Sequence, residues 1–290
     1  MEDRDWLVLQ VLFAQKSITK TAQLLYISQP ALTSRLKQIE EEFGVRIVFR
    51  GSKGVHFTPQ GEYLVQRAGE MLQQIRTIKQ QVISIDNEVA GTLRLGASNF
   101  VTKYILPRLL SLFKQQYPQV EFNVTTAWSK DVYPLIYNQD IHVGFSRGDY
   151  EWRDEKYLLF EESVCIASKH EIDIKQLPDI PRIEYRTDHL AKSMMDNWWR
   201  DNFSQPPLIS MDVNQVDTCK EMIVNGLGYG IMPRRILRDT TDLFTIDLQD
   251  KNGQPLVRRT WMIYQQELLE INVVRAFVDF IKTLDFSKEG

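Results

Sequence analysis

A long apolar repeat sets the strongest limit on how this chain folds. It begins after Thr58-Pro59, a pair that is typical of a helix start, with the cap first and proline in the first turn. Its steps alternate between four and three residues, the period of a coiled-coil seam, and predict one helix of about 28 residues. A helix with so narrow an apolar surface needs a partner, and a second copy of the chain is favoured over an intramolecular one. The seam consists of Leu64, Ala68, Met71, Ile75, Ile78, Val82 and Ile85.

Three shorter helices are predicted before the long one. Residues 4–15 carry apolar side chains at helical spacing, and Lys20–Leu25 form a second helix with Thr19 as its cap. Ser28 caps a third helix, which stops at Gly44. The tight turn between the second and third helices, and the small polar side chains at the start of the third, are typical of a helix-turn-helix.

Two short strands, residues 46–50 and 55–58, follow around a turn that contains glycine and lysine. This pattern predicts a β-hairpin wing beside the helix-turn-helix. Phe49 and Phe57 are expected to pack inward.

After Gly91 the pattern changes to strands that alternate with helices, which predicts βαβ units and a mostly parallel sheet. The fold class is therefore α+β overall, with a helical N-terminal part and an α/β C-terminal part. The predicted strands are 92–98, 120–127, 141–145, 163–168, 208–213, 228–232 and 260–265; the predicted helices are 105–117, 132–137, 191–203, 216–225 and 270–284.

Composition limits the class of protein. A length of 290 residues predicts two or three domains, and 43% hydrophobic with 25% charged residues is ordinary for a folded soluble chain. No apolar run reaches the length of a membrane span, and the acidic start is unlike a signal or transit peptide, so a cytoplasmic protein without membrane contact is expected. The net charge is −3, yet residues 1–60 carry eight Lys/Arg against six Asp/Glu. That local balance permits binding to phosphates.

Residues 22–50, AQLLYISQPALTSRLKQIEEEFGVRIVFR, and 54–61, GVHFTPQG, resemble the DNA-binding end of a LysR-type transcriptional regulator. Ser-Gln at the start of the third helix, the acidic run before Gly44 and Thr-Pro-x-Gly all occur in the family's order. Residues 226–233, GLGYGIMP, resemble a glycine-rich strand of the family's C-terminal domain. One departure is that the family usually has Ser-Arg or Ser-Lys where this chain has Thr33-Ser34, with Arg35 one position later.

The resemblance implies a regulator, an activator or a repressor, whose promoter binding responds to a small-molecule effector. It predicts a winged helix-turn-helix domain at 1–58, a linker and dimerisation helix at 59–90 and an effector-binding domain at 91–290. The last resembles periplasmic binding proteins, with lobe I at 92–163 and 267–290 and lobe II at 164–266. Expected partners are double-stranded promoter DNA and further copies of the chain, as dimers through residues 59–88 and tetramers of dimers. RNA polymerase is an additional candidate partner.

Gln29 is the best candidate for reading a base edge, because its amide can pair with adenine through two hydrogen bonds. Pro30 and Ala31 are placed to touch a thymine methyl group, and the remaining side chains suit phosphates or nearby bases. The alternative is a solvated helix face and wing. The predicted DNA-binding residues are Ser28, Gln29, Pro30, Ala31, Thr33, Ser34, Arg35, Lys37, Arg50 and Lys53.

The effector is expected at the carboxyl ends of parallel strands, where helix N-termini offer N–H groups to anions. Hydroxyl and amide side chains at those positions suit a small carboxylate or an amino acid. Trp128 is expected to stack on a planar ligand or to serve only as a pocket wall. The predicted effector-binding residues are Ser98, Asn99, Phe100, Ala127, Trp128, Ser146, Arg147, Asn214 and Gln215.

Other motifs give weak support to catalysis or metal binding. Residues 144–148 match the G-x-S-x-G pattern of hydrolases, but the following residues open no apolar helix. The four histidines lack metal-ligand spacing, and Cys165 and Cys219 are interpreted as structural thiols rather than a redox switch. We therefore expect no enzyme activity, no metal and no cofactor.

Overall fold

A computed structural model describes residues 2–51, 54–83, 89–240 and 242–286. The chain forms two compact units, Met1–Glu88 and Val89–Gly290. Lys53, predicted to contact DNA, and Ile85, the last residue of the predicted seam, lie outside the described residues, as does the side chain of Arg50.

The N-terminal unit is built from three helices, a two-stranded hairpin and one long helix. The helices α1, α2 and α3 span Asp3–Gln15, Ile18–Leu24 and Gln29–Phe43. Strands β1 (Val48–Gly51) and β2 (Gly54–Phe57) pair antiparallel, and α4 spans Pro59–Ile83. The predicted helix-turn-helix, wing and long helix are all present.

Local capping groups fix where these helices begin. The Ser28 hydroxyl accepts a hydrogen bond from the Ala31 N–H at 3.3 Å, and the Thr58 hydroxyl accepts one from the Gly61 N–H at 3.0 Å. The prediction of Thr19 as the cap of α2 is wrong. Ser17 is the cap, because its hydroxyl accepts a hydrogen bond from the Lys20 N–H and the helix starts one residue later, at Ile18.

The glycine of Thr-Pro-x-Gly permits a close approach of two backbone segments. A Cβ atom on Gly61 would lie 2.2 Å from the carbonyl oxygen of Ile47, inside any tolerable contact. The first turn of α4 can therefore lie against the residue that precedes β1 only if position 61 has no side chain.

The wing is packed by different residues from those predicted. Phe57 lies edge-on against Phe13, with 5.1 Å between ring centroids. Phe49 does not pack inward, and that prediction is wrong. Its ring is half-exposed and stacks on His56, whereas Ile47 and Val55 are the buried residues of this region.

The apolar seam of α4 divides into two parts. Leu64 and Ala68 are buried in the core of their own unit, with Leu9 and Leu12 of α1 among the other members. Met71, Ile78 and Val82 are exposed, the last two at 57% and 60%. Among the described side chains of α4, the exposed apolar stripe therefore lies in the later part of the seam.

The C-terminal unit contains one sheet of nine strands within its described residues, numbered from β3 in chain order. The first half, which we call lobe I, has three parallel strands: β3 (Gly91–Ser98), β4 (Val120–Ala127) and β5 (Val143–Arg147). Its helices are α5 (Asn99–Tyr104), α6 (Leu106–Gln116), α7 (Ser129–Tyr137) and α10 (Asn272–Thr283).

The other half, lobe II, has parallel strands β7 (Arg182–Tyr185), β8 (Ile209–Val213) and β9 (Tyr229–Pro233). Its helices are α8 (His189–Asn202) and α9 (Val216–Val224). A short strand, β10 (Phe244–Asp247), pairs with β6.

Two long antiparallel strands, β6 (Glu155–Ser168) and β11 (Val257–Tyr264), connect the lobes. β11 also pairs with β5 of lobe I, and the last five residues of β6 pair with β9 of lobe II. The strand order is β4-β3-β5-β11-β6-β9-β7-β8 with β10 beside β6, so β5 of lobe I and β9 of lobe II lie on either side of the two crossing strands.

Candidate functional site

The N-terminal end of α3 forms an exposed polar surface. Ser28, Gln29, Pro30, Ala31, Ser34 and Lys37 are exposed, and Thr33 is half-buried. The Gln29 amide oxygen lies 3.5 Å from the Thr19 hydroxyl, which donates a weak hydrogen bond from α2. The surface is thus made mainly of amide, hydroxyl and apolar groups, with Lys37 as its charged side chain.

Arg35 differs from the other predicted DNA-binding residues of α3, because its side chain forms contacts within the N-terminal unit. Its Nη2 donates to the Asp5 carboxylate at 2.8 Å, its Nε contacts the other oxygen of that carboxylate, and Nη1 donates to Gln38 at 3.0 Å. Asp5 is buried at the start of α1. Arg35 thus joins α3 to α1, and its hydrogen-bonding groups are occupied within the unit.

Tyr26, in the turn between α2 and α3, is the most exposed large side chain of this surface, at 96%. Its backbone has a φ of +54°, in the left-handed region that few bulky residues adopt. Capping patterns show where helices start and end, but not which side chains are exposed. They therefore could not identify Tyr26 as part of this surface.

A cleft between the two lobes holds most of the predicted effector residues. Its inner cavity, of about 70 Å³, is lined by the ends of β3, β4 and β5 and by the start of α9. From the predicted set it contains Ser98, Asn99, Phe100, Ala127, Trp128, Arg147 and Gln215.

Two predicted residues do not line the inner cavity. Ser146 is fully buried, and its hydroxyl donates to the Ser129 carbonyl oxygen at 3.2 Å. It lies next to Arg147 on β5, so the alternation of a strand sends the two side chains to opposite faces. Asn214 is exposed and precedes Gln215, the residue that reaches the cavity.

The opposite wall was not predicted, and it comes from the segment that starts at the end of β7 and from β11. This segment contributes Tyr185, Arg186, Thr187 and Asp188, and β11 contributes Arg258. A larger outer cavity of about 550 Å³ opens beside it and shares Trp128 and residues 185–188. Trp128 is thus a wall of both cavities.

Two buried ion pairs flank the inner cavity. The Arg147 guanidinium contacts Glu162 on β6, and the Arg258 guanidinium contacts Asp188. Asp188 also caps α8, since it accepts a hydrogen bond from the Ala191 N–H at 3.0 Å. Burial lowers the pKa of Arg147 to about 10, while the charge of Glu162 opposes that shift, so the side chain stays protonated at neutral pH.

The lobes are also joined beside the cleft, by contacts between α5 and α9. The Asp217 carboxylate in the first turn of α9 lies 2.8 Å from the Lys103 ammonium and accepts a hydrogen bond from the Tyr104 hydroxyl. Lys103 and Tyr104 belong to α5 of lobe I, whose first residues line the inner cavity.

Comparison with known proteins decides the family. A family model described as the LysR substrate binding domain matches residues 86–285, and one described as the lysR family of bacterial regulatory helix-turn-helix proteins matches residues 4–62. The chain belongs to the LysR family. The resemblance in residues 22–61 is confirmed, and this LysR-type transcriptional regulator combines a helix-turn-helix DNA-binding domain with an effector-binding domain.

Relatives and solved structures extend over the whole chain. YraN of Bacillus subtilis (strain 168), an uncharacterized HTH-type transcriptional regulator, is 42% identical over 97% of this chain and 98% of its own length. YkuM of the same organism, also uncharacterized, is 30% identical over 96% of this chain and 95% of its own length. Full-length CbnR complexed with its target DNA has a TM-score of 0.68 at 16% identity, covering 97% of this chain and 99% of CbnR, which supports the fold.

The motif at residues 144–148 of this LysR-type regulator has no hydrolase geometry. Its Ser146 hydroxyl is buried and bonded to a backbone carbonyl oxygen, with no histidine as a partner. Among the residues that the structure describes, no group of three His, Cys, Asp or Glu side chains could hold a metal ion. No described helix is long and apolar enough to cross a membrane.

We predict that both cysteines of this LysR-type regulator are inert in the native state. Cys165 and Cys219 are completely buried, and burial raises the pKa of each thiol to about 12, so almost no thiolate forms near neutral pH. A thiol-reactive disulfide reagent at pH 8 is expected to detect neither thiol in buffer and both in denaturant. A thiol that reacts equally fast in both conditions would contradict this.

Proposed function

We propose that this regulator binds a partly palindromic promoter site as a dimer or tetramer and that a small carboxylate or amino acid in the cleft alters that binding. DNA reading is assigned to residues 1–58, dimerisation to 59–90 and effector binding to 91–290, with cytoplasmic DNA as the target. The protein acts by binding, without catalysis. The main support is the inner cavity, where residues chosen from the sequence for their chemistry come together.

The coupling of ligand to DNA is proposed to run through the relative position of the lobes. The inner cavity takes Ser98 and Trp128 from lobe I and Thr187 and Gln215 from lobe II. A ligand that contacts both sides favours one arrangement of the lobes by its difference in affinity for the two. Within an oligomer, that change alters the spacing of the recognition helices and the bend of the bound DNA.

Selection from a pool of random DNA duplexes tests the DNA-binding proposal. The full-length protein is expected to enrich a two-fold symmetric sequence and to bind it at least about 10³-fold more tightly than random DNA of equal length. Thermal-shift screening of carboxylates and amino acids then supplies a ligand. The protein's footprint on the selected site should then differ with and without that ligand, either in the length of DNA that is protected or in the DNA bend that the cleavage pattern reports. Selection that enriches no sequence would overturn the proposal.

Gln29→Ala is expected to relax specificity at one base pair in each half-site. Loss of a two-hydrogen-bond amide contact lowers the discrimination against the wrong base by about 1–3 kcal/mol, while binding to random DNA changes little. Competition between the selected site and its single-base variants measures this.

The matched control is Lys37→Ala on the same helix, because Lys37 is exposed and forms a solvent-exposed pair with Glu41, at 3.4 Å, that a phosphate can replace. It should weaken binding to all sequences alike and reduce the salt dependence. Equal losses on selected and random DNA for both variants would contradict the assignment of base reading to Gln29.

A further inference from the structure

We infer that the inner cavity selects a compact anion with a single negative charge, rather than a dianion or a neutral molecule. This inference rests on the proposed function, because it concerns the effector of the same cleft. It follows from the charges, the hydrogen-bond donors and the size of the cavity.

The charged side chains around the inner cavity cancel in pairs. Arg147 is matched by Glu162, and Arg258 by Asp188, with each of the four side chains more than nine-tenths buried. Arg186 is exposed at the rim, where solvent screens its charge. The two buried arginines therefore do not supply two uncompensated positive charges for a dianion.

The remaining positive potential comes from the backbone. The N-termini of α7 and α9, from different lobes, meet at the cavity through Trp128, Ser129, Gln215 and Val216. Neither helix has a side-chain cap, and each N-terminus carries roughly half an elementary charge. Together they complement about one negative charge, since α8, which also starts at the cavity, is capped by Asp188, and α5 has only six residues.

The acidic side chains in the first turns of α7 and α9 do not occupy this space. Asp131 lines the outer cavity rather than the inner one. Asp217 is held by Lys103 and Tyr104 of α5 and does not line the inner cavity. The two N-termini therefore remain available to an anion in the inner cavity.

Two buried hydrogen-bond donors at the inner cavity lack an acceptor among the described residues. Within the part of the chain that the structure describes, the Ser98 hydroxyl and the Arg147 Nε have no hydrogen-bond partner, although these two residues are only 6% and 4% exposed. A buried polar group without a partner costs about 1–3 kcal/mol, and an anionic oxygen would satisfy both. A cavity of about 70 Å³ admits a group on the order of five non-hydrogen atoms.

Two pairs of small probes that differ in charge but hardly in shape test the inference on the full-length protein at constant ionic strength. Acetate is compared with acetamide, and methanesulfonate with sulfate, by titration of tryptophan fluorescence. Acetate and methanesulfonate are expected to bind saturably, with acetamide and sulfate at least about tenfold weaker than their partners.

Ser98→Ala locates the binding, and Ser168→Ala is its control, because Ser168 is equally buried but lines neither cavity. Ser98→Ala should raise the acetate dissociation constant about tenfold, and Ser168→Ala should leave it unchanged. Sulfate binding tighter than methanesulfonate, acetamide matching acetate, no saturable binding of any probe, or acetate binding insensitive to Ser98→Ala would each overturn the inference. A neutral or dianionic ligand that still changes the DNA footprint would overturn this inference alone, whereas failure of the DNA selection would overturn only the proposed function.

Discussion

Replacement of Glu162 by glutamine is expected to lower the free energy of unfolding of the C-terminal unit by about 3–5 kcal/mol. The change leaves the Arg147 guanidinium buried beside Phe100 without its carboxylate, and it weakens the hydrogen bond that Glu162 accepts from the Arg235 N–H. An uncompensated buried charge is far more costly than the pair is stabilising. Urea titration followed by tryptophan fluorescence measures the effect, since five of the six tryptophans lie in residues 89–290.

The neighbouring residue on the same strand provides the control. Glu161 also pairs with an arginine, Arg259, but both side chains are about 40% exposed. Glu161→Gln should therefore change the stability by less than about 1 kcal/mol. Replacement of both Arg147 and Glu162 by methionine should be less destabilising than Glu162→Gln, because no buried charge remains. Equal losses for Glu161→Gln and Glu162→Gln would show that burial of the pair does not govern its energy.

The N-terminal unit could be predicted closely because its signals are local. Ser28 caps α3, Pro30 fits its first turn, and Gly44 ends it in the left-handed conformation, all within one helix. The errors occurred where neighbouring residues compete for one role. Ser17 and Thr19 are both good caps, and only the backbone path shows that Ser17 is used. Likewise, a four-residue strand gives too little alternation to show that Phe49 lies outside the core.

The cleft could be predicted only on the side that is formed by successive βα turns. Ser98, Trp128 and Arg147 each follow or end a strand of lobe I, so their strands place them at one edge of the sheet. The opposite wall depends on contacts between distant parts of the chain. Asp188 meets Arg258 across 70 residues, after β7, a strand of four residues without a clear pattern.

The apolar seam illustrates the same limit. A heptad period shows which residues lie on one face of a helix, but it does not show what covers each of them. In this chain α1 covers the start of the stripe at Leu64 and Ala68, while Ile78 and Val82 remain exposed. The partner of the seam is therefore expected to bind the C-terminal half of α4.

Ile78→Asp is expected to raise the dissociation constant of the proposed dimer by about 10³-fold or more. Each protomer would lose the burial of an isoleucine, about 1.5–3 kcal/mol, and would place a carboxylate in an apolar interface. Sedimentation equilibrium measures the oligomeric state. The same variant is expected to bind DNA more weakly, because a monomer binds one half-site and lacks the affinity gained when two linked sites are bound together.

Gln66→Asp is the matched control, since it introduces the same side chain at an exposed position of α4 outside the seam. It adds the same negative charge to the same helix without removing an apolar side chain from the seam, so the oligomeric state should stay as in the wild type. If Ile78→Asp leaves the dimer intact while Gln66→Asp behaves alike, the seam does not form the interface between copies. If instead Ile78→Asp gives monomers that still bind single half-sites with the base preference of the wild type, the two roles are independent. In that case α4 determines dimerisation and α3 determines base recognition.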